Sequence, residues 1–189
     1  MRQVKLLALM TALSLTLCSC GVGQTAEEKA LELQEEYAAW DTLTITADVT
    51  ADYGDRVYDF KLRYTGNDTE GTIEVLEPEA IAGLTATVSP DGSSLSFDGA
   101  ELSLGELSSD GLSPMDCLPM MIEQWSKGFV DRAETDSING TDTLAVTYTV
   151  SENEYLITWF EADTNLPVRA EIYFDGSMVI CCEFENIIT

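Results

Sequence analysis

Cysteine thiols and carboxylates are the side chains in this sequence that could carry chemistry. The 189 residues include five cysteines and 34 Asp plus Glu, and they include no histidine. Without histidine, the usual Ser–His and Cys–His nucleophile pairs are excluded, and so are most zinc-site layouts. Carboxylates alone still permit acid–base chemistry, but no spaced nucleophile motif accompanies them. We therefore expect a protein that is not an enzyme and that binds no cofactor or metal.

Cys20 ends a pattern that is typical of bacterial lipoprotein precursors. A basic start leads into an apolar run over residues 6–17, which is shorter than the ~20 residues of a membrane-spanning helix. Residues 17–21, Leu-Cys-Ser-Cys-Gly, resemble a lipobox, with leucine three positions before Cys20 and a small residue directly before it. The pattern predicts a signal peptide over residues 1–19 and an acyl anchor, such as palmitate, on Cys20. The alternative is an ordinary signal peptide that happens to contain cysteine.

Three further cysteines, Cys117, Cys181 and Cys182, follow in the mature chain, and their number is odd. Adjacent Cys181 and Cys182 would point to opposite faces of a strand. One of them could pair with Cys117 if the fold brings them together. The other interpretation, which we favour at this point, is that all three are reduced and buried as small hydrophobic side chains.

The charge of the chain restricts its partners. Removing residues 1–19 leaves 170 residues and takes away Arg2 and Lys5, which changes the formal net charge from −25 to −27. Such a surface repels nucleic acid and anionic lipid headgroups. The remaining length is sufficient for one domain with a hydrophobic core. We assign residues 20–24 to a lipid-anchored tether and residues 25–189 to a single domain.

Hydrophobic periodicity predicts an N-terminal helix followed by strands. Thr25 and Glu28 have the spacing of a capping box, and an apolar stripe at helical spacing continues to about Trp40. From residue 42 the period changes to two, and short turns separate successive strand patterns. Those patterns cover residues 42–51, 58–65, 73–75, 84–88, 95–97, 102–104, 129–136, 144–150, 155–160, 168–174 and 178–184.

A second helix is predicted in the middle of the chain. Ser113 and Pro114 provide a cap and a first helical residue, and Gly128 ends the apolar stripe that follows. Pro119 lies inside this pattern, so we expect either a kink or a second helix start there. The element order fits a curved antiparallel sheet with two helices on its concave face.

Three stretches resemble the LolA-like lipoprotein-carrier superfamily. They are residues 78–84 (Pro-Glu-Ala-Ile-Ala-Gly-Leu), residues 114–121 at the second helix, and residues 155–176, which contain paired strands around a Thr-x-Leu-Pro turn. The similarity is to Gram-positive lipoprotein members, including clostridial spore-germination and sporulation lipoproteins. It implies an α+β fold, a strongly curved antiparallel sheet that forms an open half-barrel, with the N-terminal and mid-chain helices packed on the concave face.

The resemblance also implies that the concave face holds acyl chains. The alternation places thirteen candidate lining residues there or on the covering helix. They are Ile45, Val49, Phe60, Leu62, Ile73, Met120, Met121, Ile122, Trp125, Val146, Tyr148, Ile157 and Trp159. The alternative is that these residues fill a core, because every sheet buries one face and periodicity cannot reveal an empty pocket.

Two functions are compatible with these features. The first is a lipoprotein on the extracytoplasmic face of a bacterial cell membrane, Gram-positive by the resemblance, that binds a lipid or another acylated ligand in the half-barrel. The second is a module that binds and regulates an extracytoplasmic protein partner, for which the resemblance suggests a cell-wall amidase. An open apolar cavity would favour the first function, and a packed interior would favour the second.

Overall fold

The computed structural model describes residues 24–90, 92–104 and 112–189. The predicted signal peptide, the lipobox with Cys20 and most of the predicted tether lie outside these residues. The described part consists of one antiparallel sheet of eleven strands, two α-helices and a short 3₁₀ turn. Neither described α-helix is long and apolar enough to cross a membrane.

The elements follow the predicted order along the chain. The helices are α1 (Ala26–Ala38) and α2 (Cys117–Lys127), and the 3₁₀ turn is Glu79–Ile81. The strands are β1 (Leu43–Asp52), β2 (Val57–Gly66), β3 (Gly71–Glu77), β4 (Thr85–Ser89), β5 (Gly92–Phe97), β6 (Ala100–Leu104), β7 (Phe129–Ile138), β8 (Thr141–Thr149), β9 (Glu154–Glu161), β10 (Pro167–Phe174) and β11 (Ser177–Ile188). Each predicted strand pattern overlaps one of these strands.

The first and last strands join two meanders into a single sheet. The strand order is β6-β5-β4-β3-β2-β1-β11-β10-β9-β8-β7, and every neighbouring pair is antiparallel. Pairing of β1 with β11 places Val49 opposite Cys182 at the centre of the sheet. The sheet is open, because β6 and β7 are its two edges. Short turns between consecutive strands account for the antiparallel order on each side.

The capping box at the start of α1 is confirmed. The Glu28 backbone N–H donates to the Thr25 hydroxyl at 3.2 Å, and the Thr25 N–H donates to the Glu28 carboxylate at 2.9 Å. These two bonds satisfy N–H groups that have no acceptor within the helix. Ala30, Leu33 and Tyr37 form the buried side of α1, as the apolar spacing predicts.

α2 begins later than the sequence predicts. Ser113 and Pro114 precede it in a turn, where the backbone N–H groups of Asp116 and Cys117 donate to the Ser113 carbonyl at 3.1 and 3.0 Å. The helix begins at Cys117, so Pro119 lies in its first turn. N–H groups in the first turn have no acceptor within the helix, so the missing N–H of proline costs little there. The helix therefore has a single start, at Cys117, in place of a first start at Pro114 and a second one near Pro119.

Candidate functional site

Cross-strand pairing gives the sheet two chemically different faces. One row of paired residues runs through Val146, Thr158, Ala170, Cys182 and Val49 on five neighbouring strands. All five side chains are buried. We call the face that carries this row the inner face. Side chains alternate along a strand, so every second residue from this row lies on the same side.

The neighbouring row lies on the opposite side, which we call the outer face. It runs through Trp159, Arg169, Glu183, Asp48 and Lys61. The Arg169 guanidinium lies 3.0 Å from the Glu183 carboxylate, and the Lys61 ammonium lies 3.3 Å from the Asp48 carboxylate. Charged groups thus dominate the row, in contrast to the apolar row beside it.

The prediction that Ile157 and Trp159 face inward is wrong. Both lie half-buried on the outer face, where the Trp159 indole N–H donates to the Asp136 carboxylate at 2.9 Å. On the same strand, Leu156 and Phe160 are fully buried on the inner face. β9 is apolar at both alternating sets of positions, so a period of two cannot say which set is covered.

The other predicted lining residues belong to one apolar cluster between the two helices and the sheet, which we call the α2 layer. Its predicted members are Ile45, Val49, Phe60, Leu62, Ile73, Val146 and Tyr148 on the sheet, and Met120, Met121, Ile122 and Trp125 on α2. All are buried except Phe60, which is half-buried and packs against the others. Sequence reasoning missed further members, namely Tyr64, Leu118, Leu156, Phe160, Ile172, Ile180 and Cys182. For Ile172 and Ile180, the alternation of apolar residues in β10 and β11 could have predicted that they face inward.

Trp125 connects α2 to the sheet and to α1. Its indole N–H donates to the Thr158 hydroxyl at 2.9 Å. Its ring meets those of Tyr37, Phe160 and Phe184 edge to face, with centroids 5.4, 5.7 and 5.6 Å away. This geometry is favourable for aromatic rings. Because Tyr37 belongs to α1, one tryptophan joins both helices to the inner face.

The α2 layer is filled in this conformation. The side chains of Ile45, Leu62, Ile73, Met121, Trp125, Val146 and Tyr148 are each 0% exposed. A side chain that lines a water-sized cavity keeps surface that water can touch, so these residues border no such cavity. An acyl chain is wider than a water molecule, and its uptake here therefore requires α2 or its side chains to move.

Tyr148 brings one polar atom into this apolar layer. Its hydroxyl is buried and has no hydrogen-bond partner among the described residues. Burial raises the pKa of Tyr148 above its usual value, so the group is a neutral donor at physiological pH. A buried hydroxyl without a partner costs roughly 1–3 kcal/mol. The same hydroxyl is therefore suited to donate to a carbonyl oxygen that reaches the layer.

A cleft of about 490 Å³ opens beside the first turns of α2. Tyr64, Val88, Pro119 and Met120 supply its apolar walls. Its acidic side chains are Asp68, Glu70, Asp116 and Glu123. Met120 belongs to both the cleft and the α2 layer, so the cleft reaches the edge of the buried cluster.

Solved structures share this fold, although no protein-family model and no curated protein matches the sequence. An uncharacterized conserved protein from Thermus thermophilus aligns with a TM-score of 0.54 and 9% identity, over 87% of each chain. A putative outer membrane lipoprotein-sorting protein domain from Vibrio parahaemolyticus aligns with a TM-score of 0.51 and 9% identity, over 87% of this chain and 93% of that one. The chain has the fold of that lipoprotein-sorting domain. At this identity the likeness shows the fold alone.

A third structure, a LolA superfamily protein from Nitrosomonas europaea, aligns with a TM-score of 0.45 and 12% identity, over 86% of this chain and 92% of that one. The α+β class and the open antiparallel sheet with two helices, expected from the sequence, are confirmed by the strand order and by the first two alignments. The clostridial affiliation stays a prediction.

Proposed function

We propose that this protein is a non-enzymatic lipoprotein that binds an acyl chain between α2 and the inner face of its sheet. An acylated Cys20 holds it on the extracytoplasmic side of a bacterial cell membrane, in a Gram-positive organism by the sequence resemblance. Residues 1–19 are the signal peptide that directs it there. The sheet curves as a half-barrel, with both helices on its concave side.

The α2 layer is the observation that supports this proposal. It is a continuous apolar cluster that includes residues of α2 and of the central strands of the sheet. Contacts between apolar side chains are non-directional, so an acyl chain can replace the apolar contacts that the helix makes. Met120 and Met121 suit such replacement because methionine is unbranched and adapts its shape.

Few directional bonds hold the C-terminal end of α2 to its surroundings. The Trp125 indole bonds to Thr158, and the Gln34 side-chain amide donates to the Gly128 carbonyl at 2.7 Å. The Lys127 ammonium lies 3.5 Å from the Asp68 carboxylate, and both groups are substantially exposed. Exposed ion pairs contribute little to stability. The Ser126 hydroxyl also donates to the Asp68 carboxylate, at 3.5 Å. Outward movement of this end of α2 therefore breaks three hydrogen bonds and one weak ion pair.

The ligand class follows from the polar groups around the layer. Carboxylates of Asp68, Glu70 and Glu123 border the cleft beside α2, and the mature chain carries a formal net charge of −27 after loss of Arg2 and Lys5. These charges oppose an anionic headgroup or a free fatty acid. The Tyr148 hydroxyl, by contrast, fits an uncharged carbonyl. A neutral ester-linked lipid, or the acyl chains of a lipoprotein, meets both conditions.

Titration with an uncharged acyl probe tests this function. A fluorescent diacylglycerol added to residues 24–189 should give saturable binding and should change the fluorescence of Trp125. Tyr148→Phe should weaken binding about 2- to 10-fold, the effect of one neutral hydrogen bond. Tyr173→Phe is the matched control, because its hydroxyl donates to Glu171 at 2.7 Å on the outer face. Absence of saturable binding by the unaltered chain would overturn the proposal.

The filled α2 layer favours a second candidate function, a module that binds an extracytoplasmic protein such as a cell-wall amidase. The edge strand β6 lies in a hairpin with two exposed apolar side chains, Phe97 at 41% and Leu102 at 59% exposure. Among the described strands β6 is an edge strand, and an edge of this kind can accept a strand from a partner.

A pull-down from extracytoplasmic extract tests this alternative. Leu102→Lys should abolish capture of a specific partner, because a charge at the edge opposes strand addition. Leu31→Lys on α1 is the matched control, since Leu31 is similarly exposed, at 55%, but lies on a helix. Equal loss with both variants, or no reproducible partner, would argue against the module.

A further inference from the structure

Cys117 and Cys182 meet between α2 and the centre of the sheet. Cys117 is the first residue of α2, and Cys182 belongs to the inner face of β11. A hydrogen-bond interaction with the Cys117 thiol raises the pKa of Cys182, which places the two thiols close together. Both are free thiols in this structure, and both side chains are 0% exposed within the same apolar cluster. The sequence left open which of two adjacent cysteines approaches Cys117, and the structure assigns Cys182.

Local geometry holds both thiols in this contact. The Cys117 thiol also donates to the Pro114 carbonyl at 3.4 Å, which fixes its side chain at the start of the helix. Opposite Cys182, the neighbouring strand β10 carries Ala170, a small residue that is also fully buried. Cys181 cannot compete, because it lies on the outer face beside Glu171.

We propose that Cys117 and Cys182 form an intramolecular disulfide in the exported protein, while Cys181 remains a thiol. Disulfides form and persist outside the cytoplasm, where we place the protein. The two thiols lose two protons and two electrons as the S–S bond forms. The electrons pass to a disulfide donor, either a small-molecule or a protein disulfide, which is reduced to two thiols.

The bond must form before α2 closes over β11. In the folded dithiol, the hydrogen bond with Cys117 and burial raise the pKa of Cys182, so its thiolate is scarce. A donor disulfide cannot reach a fully buried sulfur either. Oxidation therefore belongs to the folding step that follows export, and the folded protein then protects the bond from reduction.

The disulfide also decides which end of α2 can move. It ties the first turn of the helix to the central strand β11, while Trp125 and Lys127 at the other end keep only non-covalent contacts. The helix would then pivot about Cys117. Ligand uptake would displace the Trp125 end.

Alkylation mapping of the full chain, exported by a bacterium and purified from its membranes, tests the bond. Iodoacetamide added in denaturant should modify one of the three mature-chain thiols without reductant and all three after reduction. Mass spectrometry should find the peptides that contain Cys117 and Cys182 joined. Alkylation of all three thiols without reductant would overturn the proposal. This mapping does not depend on lipid binding, so the two proposals can fail separately.

Single variants identify the partner and provide the control. Cys181→Ser should keep the cross-link, whereas Cys182→Ser should lose it. Refolding with oxidised glutathione should raise the melting temperature of the unaltered chain and of Cys181→Ser by roughly 10 °C over their reduced forms, given a closed loop of about 65 residues. Cys182→Ser should show no such shift. A cross-link that persists in Cys182→Ser would contradict the assignment, and the peptide map of the unaltered chain decides the matter if a variant fails to fold.

Discussion

Trp125 and Trp159 place the same indole group in opposite environments. Trp125 is fully buried and donates to Thr158, whereas Trp159 is half-buried and donates to the exposed Asp136 carboxylate. Trp125→Phe should lower the free energy of unfolding by about 2–4 kcal/mol, because it leaves a void and a hydroxyl without its donor. Trp159→Phe should cost less than about 1 kcal/mol. Urea denaturation of both variants measures the difference, and equal losses would contradict the assignment of the two faces.

Most substitutions of buried residues destabilise a protein, but we expect Tyr148→Phe not to do so. Removing its unpartnered hydroxyl in Tyr148→Phe should leave the free energy of unfolding unchanged or raise it by up to about 1–2 kcal/mol. Tyr37→Phe is the matched control, because the Tyr37 hydroxyl donates to the Asn165 carbonyl at 3.0 Å. That variant should lose about 1 kcal/mol. A loss of the same size in Tyr148→Phe would show that its hydroxyl does have a partner.

Asp136 provides a pH-dependent test of the outer face. The hydrogen bond from Trp159, and next the one from the Ser137 backbone N–H, hold the pKa of Asp136 below its usual value. A folded-state pKa below the unfolded one means that Asp136 contributes stability above the unfolded pKa of about 4 and loses it as the pH falls further. Trp159→Phe should raise the pKa of Asp136 towards the usual value, which NMR titration of the carboxyl carbon measures. An unchanged pKa would mean that the indole bond is absent in solution.

At the level of elements, alternation predicted the strands well, but it predicted the faces only where one side of a strand is polar. In β1, Ile45 and Val49 alternate with threonines and an aspartate, so the covered face could be assigned. β9 offers apolar residues on both sides. Its register against β10 also shifts between Pro167 and Arg169. Counting residues through the connecting turn therefore could not show which residues of β9 lie opposite the inward-facing residues of β10. Irregularities of this kind are set by tertiary pairing and carry no local sequence signal.

The start of α2 and the contact of Cys117 with Cys182 were likewise beyond the sequence. A Ser-Pro pair predicts a helix start, but here Ser113 closes a turn and the helix begins after it. The thiol contact joins residues from two elements that are far apart in the chain. Only the packing of α2 on β11 brings them together.

α2 should open more readily than the strands beneath it. The strands β1 and β11 are each bonded to neighbours on both sides, whereas α2 depends on side-chain contacts. Native-state hydrogen exchange should therefore show α2 amides exchanging through a partial opening, faster than the central amides of β1 and β11. An acyl ligand should slow the α2 amides selectively. If the α2 amides exchanged only through global unfolding, at the same rate as the central amides of the sheet, the proposal that α2 moves separately would be contradicted.

At the scale of the whole molecule, the proposed anchor limits what a lipid binder can do. Residues 20–24 reach at most about 2 nm when extended, at ~3.5 Å per residue. A domain tethered so closely can take up or present an acyl chain at its own membrane. It cannot carry that chain across an envelope. The high negative charge also repels the domain from anionic headgroups.

Native mass spectrometry of residues 24–189, produced in a bacterium and purified without detergent, tests the central claim most directly. We expect a population of the chain with an added mass of one neutral diacyl lipid, which organic extraction releases and identifies. A variant with Tyr148→Phe, which removes the buried hydroxyl proposed to donate to the lipid carbonyl and adds no bulk to the α2 layer, should carry less of that lipid. A chain that carries no lipid, and that acquires none when mixed with neutral lipid vesicles, would contradict acyl binding in the α2 layer.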